Sequence, residues 1–213
     1  MLSRVHSGVA DLYTFSQNIN DADEAQMFRQ VCSQLESSCL ALSFGLYRSS
    51  LASLRQGFEF GMGAILFSSN KLAHREWING RKEADLKWST INSPETGVLS
   101  KRFVNAFFPG LEDIVDSYQE KATIVYRCLS EYVHGNSETW KSSGLVLSRD
   151  IRLERLYFEK FSDVIEILKF SFCCRYLRDL TKDQLEEVQS IVNDALTHIA
   201  PIREFLGGPK DIK

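Results

Sequence analysis

Proline is scarce in this chain of 213 residues: only four occur, at positions 94, 109, 201 and 209. Because proline breaks helices, the long proline-free runs between them favour long helices. No apolar run is long and uncharged enough to span a membrane, since Arg55 and Glu59 interrupt the most apolar window, Leu51 to Phe67. No signal peptide is apparent at the N-terminus. We therefore expect no membrane association and a cytoplasmic location.

Cysteine and histidine are few and scattered. The five cysteines form no CxxC pair, and the four histidines show no metal-ligand spacing. The cysteines are therefore expected to be buried free thiols. A Walker loop, GxGxxG, HExxH and GxSxG are also absent. These absences predict neither a metal nor a cofactor. The net charge of −3 gives no overall attraction to nucleic acid, so any RNA contact needs a local basic patch.

Apolar residues recur at helical spacing through most of the chain, and no linker or repeat divides it. The pattern predicts an all-α fold, with residues 1–213 forming a single bundle of about six helices. Residues 1–20 are predicted to be an N-terminal docking helix and residues 205–213 a frayed tail. The helical segments are predicted at 24–70, with a possible break near Ser49–Ser50, and at 71–87, 100–108, 111–134, 149–180 and from Thr181, which caps the last helix. Asp21 or Asp23 is predicted to cap the helix that begins near Glu24.

The segment 50–67 is apolar nearly all round, as a central helix should be. Gly57 and Gly61 lie four residues apart within it, which indicates close approach by another helix. Arg55 and Glu59 are also four residues apart. Because an unpaired charge is costly in such a setting, we expect these two residues to pair with each other or with another charged group.

The sharpest chemical signal is Tyr126 to Asn136, which is typical of the end of a helix. Spacing places Arg127, Ser130 or Glu131, and His134 on one face, beside an apolar stripe of Tyr126, Leu129 and Val133. Cysteine-protease chemistry between Cys128 and His134 is excluded by their spacing. Serine hydrolysis lacks a visible orienting acid and oxyanion hole.

The spacing of Arg127 and His134, with six residues between them, resembles the Arg-x4–6-His motif of HEPN-superfamily proteins. The chain is also similar to bacterial helical proteins related to HEPN and abortive-infection proteins. In those proteins an Arg-x3-Glu helix, here Arg55 and Glu59, precedes a segment like LSEYVHG, here residues 129–135. The resemblance implies a metal-independent endoribonuclease or RNA-binding component of a bacterial phage-defence or toxin–antitoxin system. It further implies a homodimer and a partner protein from such a system.

The resemblance assigns roles to the motif residues. His134 would transfer protons and Arg127 would bind phosphate, as suits an imidazole and a guanidinium. Ser130 and Glu131 would lie beside them, and Asn136 would hydrogen-bond substrate or cap the turn. The alternative is that Arg127 and His134 form a structural pair at a helix end.

One interpretation of the basic residues interleaved with Trp77 and Trp88 is an RNA-binding surface. The candidate cations are Arg75, Arg81, Lys82, Lys87, Lys101 and Arg102. The alternative is a solvated helix face with the tryptophans turned into the core. Two other functions stay open: a non-catalytic interaction or sensor subunit of a defence module, and a small-molecule-binding bundle.

Overall fold

A computed structural model of the chain describes residues 2–81, 85–134, 137–140 and 149–210. Every regular element in these ranges is a helix, which confirms the all-α prediction. Six of these helices have 15 to 26 residues, in line with the predicted bundle. The α-helices are α1 (Leu2–Gln17), α2 (Ala22–Ser43), α3 (Tyr47–Ser69), α4 (Lys71–Ile78), α5 (Trp88–Ile91), α6 (Lys101–Phe107), α7 (Glu112–Ser130), α8 (Ser137–Trp140), α9 (Ile151–Tyr176), α10 (Lys182–Leu196) and α11 (Ala200–Phe205), with a 3₁₀ turn at Leu177–Asp179.

Helix α3 lies at the centre, where it packs against α2, α7 and α9. Its glycines allow these neighbours to approach, as the sequence predicted. A Cβ added at Gly57 would lie 3.0 Å from Leu35 of α2, and one at Gly61 would lie 2.7 Å from Leu168 of α9. Both leucines are fully buried, so the interhelical space is already filled at these two points.

Local capping signals were correctly predicted. The side chain of Asp21 accepts hydrogen bonds from the backbone N–H groups of Asp23 and Glu24, both at 3.0 Å. Thr181 begins α10 in a capping box with Gln184. Helix α1 buries one face, and it packs against α2 and α9.

Three predicted boundaries were wrong. The break between α2 and α3 falls at Phe44–Leu46 rather than at Ser49–Ser50, because Gly45 adopts a φ of 71°. Helix α4 stops at Ile78, and Gly80, with a φ of 69°, turns the chain away before the predicted end at residue 87. Helix α7 ends at Ser130 rather than at His134.

The C-terminal tail is held further than predicted. Buried Arg203 donates hydrogen bonds to the carbonyl oxygens of Pro209 at 2.7 Å and Lys210 at 2.6 Å. The predicted frayed tail therefore folds back on α11 as far as Lys210. Residues 211–213 lie outside the described ranges.

All five cysteines are free, with Cys32, Cys173 and Cys174 buried and Cys39 and Cys128 half-buried. Burial raises the pKa of the Cys32 thiol to about 11. Such a thiol carries little thiolate near neutral pH, which fits a packing role. In the ranges that the structure describes, no helix combines the length and apolar character needed to cross a bilayer.

Candidate functional site at the end of helix α7

The inner side of the α7 end is joined to α3 by Arg55. Its Nε donates to Ser130 Oγ at 3.0 Å, and its Nη2 donates to the hydroxyl of Tyr126. The same nitrogen lies 3.4 Å from Glu59 Oε2, and the Tyr126 hydroxyl donates to Glu59 Oε1 at 3.3 Å. Arg55 and Glu59 are therefore paired, as predicted, but within a network that also includes two α7 side chains.

The ring of Tyr126 also contacts Trp88 and Arg55. Trp88 stacks on its ring with centroids 4.0 Å apart and planes at 3°, and the Arg55 guanidinium carbon lies 4.6 Å from the ring centroid. The prediction that Tyr126 belongs to an apolar stripe missed this polar role. The stack fixes α5 against α7.

The outer side of the α7 end is open. Arg127, Glu131 and His134 are exposed, and within the described ranges no hydrogen bond or ion pair engages their side chains. Of the two residues that the spacing offered between Arg127 and His134, Glu131 faces outward and Ser130 faces Arg55. No hydrogen bond joins the side chains of Arg127 and His134 in the part of the chain described. Ile124, 55% exposed, and Val133, 38% exposed, add apolar surface beside them.

The chain continues past Ser130 as a tightened turn. The N–H of Val133 bonds to the Ser130 carbonyl at 3.1 Å, and the N–H of His134 bonds to the same carbonyl at 3.0 Å. The second bond keeps the i to i−4 pattern of an α-helix, so His134 still lies about two turns beyond Arg127. Asn136 lies outside the described residues.

Arg48 of α3, which the sequence analysis did not single out, holds this turn from its carbonyl end. Its Nη2 donates to the carbonyl oxygens of Val133 and His134, both at 3.3 Å. Its Nη1 donates to Thr139 Oγ1 at 3.4 Å, and Thr139 in turn donates to the Glu131 carbonyl at 3.0 Å. Helix ends leave such carbonyls without intrahelical partners, so a nearby donor was to be expected. The sequence did not show that this donor is Arg48, because Arg48 lies far from the turn along the chain.

The predicted basic residues are spread over α4, α6 and the segments around α5. Arg75 is paired with Asp23 at 2.8 Å, and Lys101 with Asp116 at 2.8 Å. Arg81, Lys87 and Arg102 are exposed, with no ion pair in the described ranges. Lys82 lies outside those ranges.

Both tryptophans of the basic segment contact the protein itself. Trp77 packs against Phe60 and Phe67, and Trp88 against Tyr126 and Phe58. Each is half-buried against the core. These contacts correspond to the alternative in which the tryptophans turn inward.

Among the described residues, no three His, Cys, Asp or Glu side chains are grouped so that they could hold a metal ion. In comparisons with known proteins, the chain matches no family model, no curated protein and no solved structure. The function is therefore argued from the geometry of this site.

Proposed function

We propose that the end of α7 is the RNA-cleaving site of a HEPN-like, metal-independent endoribonuclease in a bacterial phage-defence or toxin–antitoxin system. One observation carries the proposal: Arg127 and His134 are both exposed on the outer side of α7, and neither side chain is engaged within the described ranges. Their neighbours Tyr126 and Ser130 are instead bonded into the protein. Unengaged functional groups on a firmly held turn are suited to bind a ligand.

The chemistry of the two side chains fits cleavage of a phosphodiester. Arginine keeps its charge at any working pH and can bind two phosphate oxygens at once. Histidine titrates near neutral pH, so it can accept the proton of a ribose 2′-hydroxyl or donate one to the leaving 5′-oxygen. In this scheme the bond between phosphorus and the 5′-oxygen breaks as the 2′-oxygen attacks. Arg127 would stabilise the charge that builds on the phosphate.

One copy of the motif supplies one imidazole, whereas the reaction needs both a base and an acid. His6, His74 and His198 belong to α1, α4 and the turn between α10 and α11, rather than to the end of α7. We therefore propose a homodimer in which two α7 ends face a shared cleft. The exposed side chains of Ile124 and Val133 support this because they provide apolar surface next to the motif.

The test is RNA cleavage by purified protein in EDTA. We expect wild-type protein to cut single-stranded RNA, and His134→Gln or Arg127→Met to reduce the rate by at least about 100-fold, the usual contribution of a positioned acid–base group. His6→Gln and Arg152→Met are matched controls, since both residues are exposed and lie on other helices. Activity that survives in both motif variants, with unchanged melting temperatures, would overturn the proposal.

The dimer has its own test. Sedimentation velocity should show a protomer–dimer equilibrium, and the specific activity should fall when the protein is diluted below the dimer dissociation constant. Ile124→Lys should weaken the dimer and lower the specific activity, because it places a charge within the apolar surface. An active protein that sediments as a monomer at every concentration would contradict the shared cleft.

A second candidate function is a non-catalytic docking module for a partner protein of a defence system. The exposed apolar side chains of Ile124 and Val133 favour it, because apolar groups flanking an arginine are typical of protein interfaces. Phage restriction in cells separates the two functions. A docking module keeps its biological effect in His134→Gln and loses it in Ile124→Lys, whereas a nuclease loses it in His134→Gln.

A further inference from the structure

We infer that Arg48 is the positioning residue for the His134 turn: from α3, it fixes the main chain that carries the imidazole. Its link to cleavage rests on the proposed function, but the clamp itself does not. The inference starts from two donor contacts of one guanidinium nitrogen, to the carbonyl oxygens of Val133 and His134. No other described side chain bonds to these two carbonyls.

The clamp acts beyond the last residue of the regular helix α7. Past Ser130 the regular helix has ended, and the turn to His134 is held by three short-range backbone bonds. Arg48 and Thr139 satisfy three carbonyls of this turn, those of Glu131, Val133 and His134. Without them, these groups would be bonded by water and the turn would open more often.

The location of Arg48 within its own helix supports a role outside that helix. It is the second residue of α3, in a first turn that contains no acidic residue. A cation there is disfavoured by the positive end of the α3 dipole. The negative end of α7 offsets this, because a cation beside the last carbonyls of a helix is stabilising. The contacts of Arg48 with the α7 turn therefore compensate for its unfavourable position within α3.

Two opposite dipole effects also make the clamp testable without loss of the fold. Arg48→Met removes the bonds to the α7 turn but also relieves the repulsion at the start of α3, so we expect the variant to stay folded, and its melting temperature checks this. Arg152 is the matched control: it is the second residue of α9 and its side chain is 93% exposed. Its ion partner is Asp150, and among the described residues no hydrogen bond joins it to a carbonyl of the α7 turn.

The experiment measures backbone amide exchange by NMR in wild-type protein, Arg48→Met, Arg48→Lys and Arg152→Met. We expect Arg48→Met to speed exchange at Val133 and His134 by about five- to tenfold, as the loss of a cation from a helix end implies. Exchange at Val125, in the body of α7, should not change. Arg48→Lys keeps the charge, so its exchange rates at Val133 and His134 should lie between those of the wild type and Arg48→Met. The exchange rates of Arg152→Met should match those of the wild type.

RNA cleavage is measured on the same four proteins. We expect kcat of Arg48→Met to fall roughly tenfold with KM nearly unchanged, since a misplaced imidazole slows chemistry more than binding. Unchanged exchange at His134, or an equal rise at Val125, overturns the clamp. A selective rise in exchange with full kcat overturns the link to cleavage. If wild-type protein cuts no RNA, the proposed nuclease fails, and the clamp is judged by exchange alone.

Discussion

Acidification should destabilise this protein through one histidine that has no role in the proposed site. His74 of α4 is 2% exposed, and its ring stacks on Phe67 with centroids 5.3 Å apart and planes at 9°. Its Nε2 is buried and has no hydrogen-bond partner in the described ranges. Burial lowers the pKa of His74 below 6.5, and the Lys71 ammonium lowers it further. The carboxylates of Glu24, Asp21 and Asp23 act in the opposite direction and raise the pKa of His74.

The direction of the effect follows from linkage. The imidazole takes up its proton less readily in the folded protein than in the unfolded chain, where its pKa is about 6.5. Its neutral form therefore supports folding above pH 6.5, and this contribution is lost as the pH falls below 6.5 towards the folded pKa. Within that window the free energy of unfolding should drop by up to about 1.4 kcal/mol for each pH unit.

Urea unfolding of wild type and His74→Phe at pH 7.5, 6.5 and 5.5 isolates this contribution. Phenylalanine keeps a ring against Phe67 but cannot titrate. Repacking around the new ring can change the free energy of unfolding by the same amount at every pH. This does not affect the test, because the measured quantity is how the stability difference between the two proteins changes with pH. His74→Leu is a second variant that also cannot titrate, for the case that phenylalanine is too large for the site. His6→Gln is the control, because it replaces an exposed histidine. A stability difference that stays flat from pH 7.5 to 5.5 would show that the imidazole is not kept neutral by burial.

Three further predictions concern stability, each measured by urea unfolding at neutral pH. Tyr126→Phe removes a half-buried hydroxyl bonded to Arg55 and should cost about 1–2 kcal/mol; no change would mean that water replaces the bond. Asp11→Asn should cost more than Lys169→Met, because it leaves the buried ammonium, 9% exposed, without its carboxylate partner at 2.5 Å. The reverse order would refute this pairing as the reason for the burial of Lys169. Gly80→Ala should cost about 1 kcal/mol from its φ of 69° alone, since nothing lies within 4 Å of an added Cβ, and Gly80→Asn should cost less. Equal stability of wild type and Gly80→Ala would mean that the turn adopts another conformation.

What the sequence predicted correctly was local. Asp21 caps the helix that follows it within three residues, and Arg55 reaches Glu59 across one helical turn. Such features depend on spacing alone, which is printed in the sequence. The boundary errors at Gly45 and Gly80 were also local, because a glycine after the last periodic residue is a known end signal for a helix. These two glycines could have been used and were not.

What the sequence could not predict was the set of partners across the fold. Arg48 bonds to Val133 and His134, which are separated from it by 85 and 86 positions in the sequence. Arg55 bonds to Tyr126 and Ser130, which are separated from it by 71 and 75 positions. Nothing in the spacing of either arginine selects α7 over the other helices. The direction of Ser130, towards Arg55 rather than towards Arg127, depends on the same packing.

The two arginines together explain why the outer side of α7 is open while its inner side is fixed. Arg48 and Arg55 are seven residues apart on α3, so they lie on one face. Arg55 binds side chains of the last helical turn, and Arg48 binds the main-chain carbonyls of the turn beyond it. Both contacts come from α3, which packs against α7. Arg127 and His134 are therefore not needed to hold their own segment in place, and substitutions at these two positions should test function rather than stability.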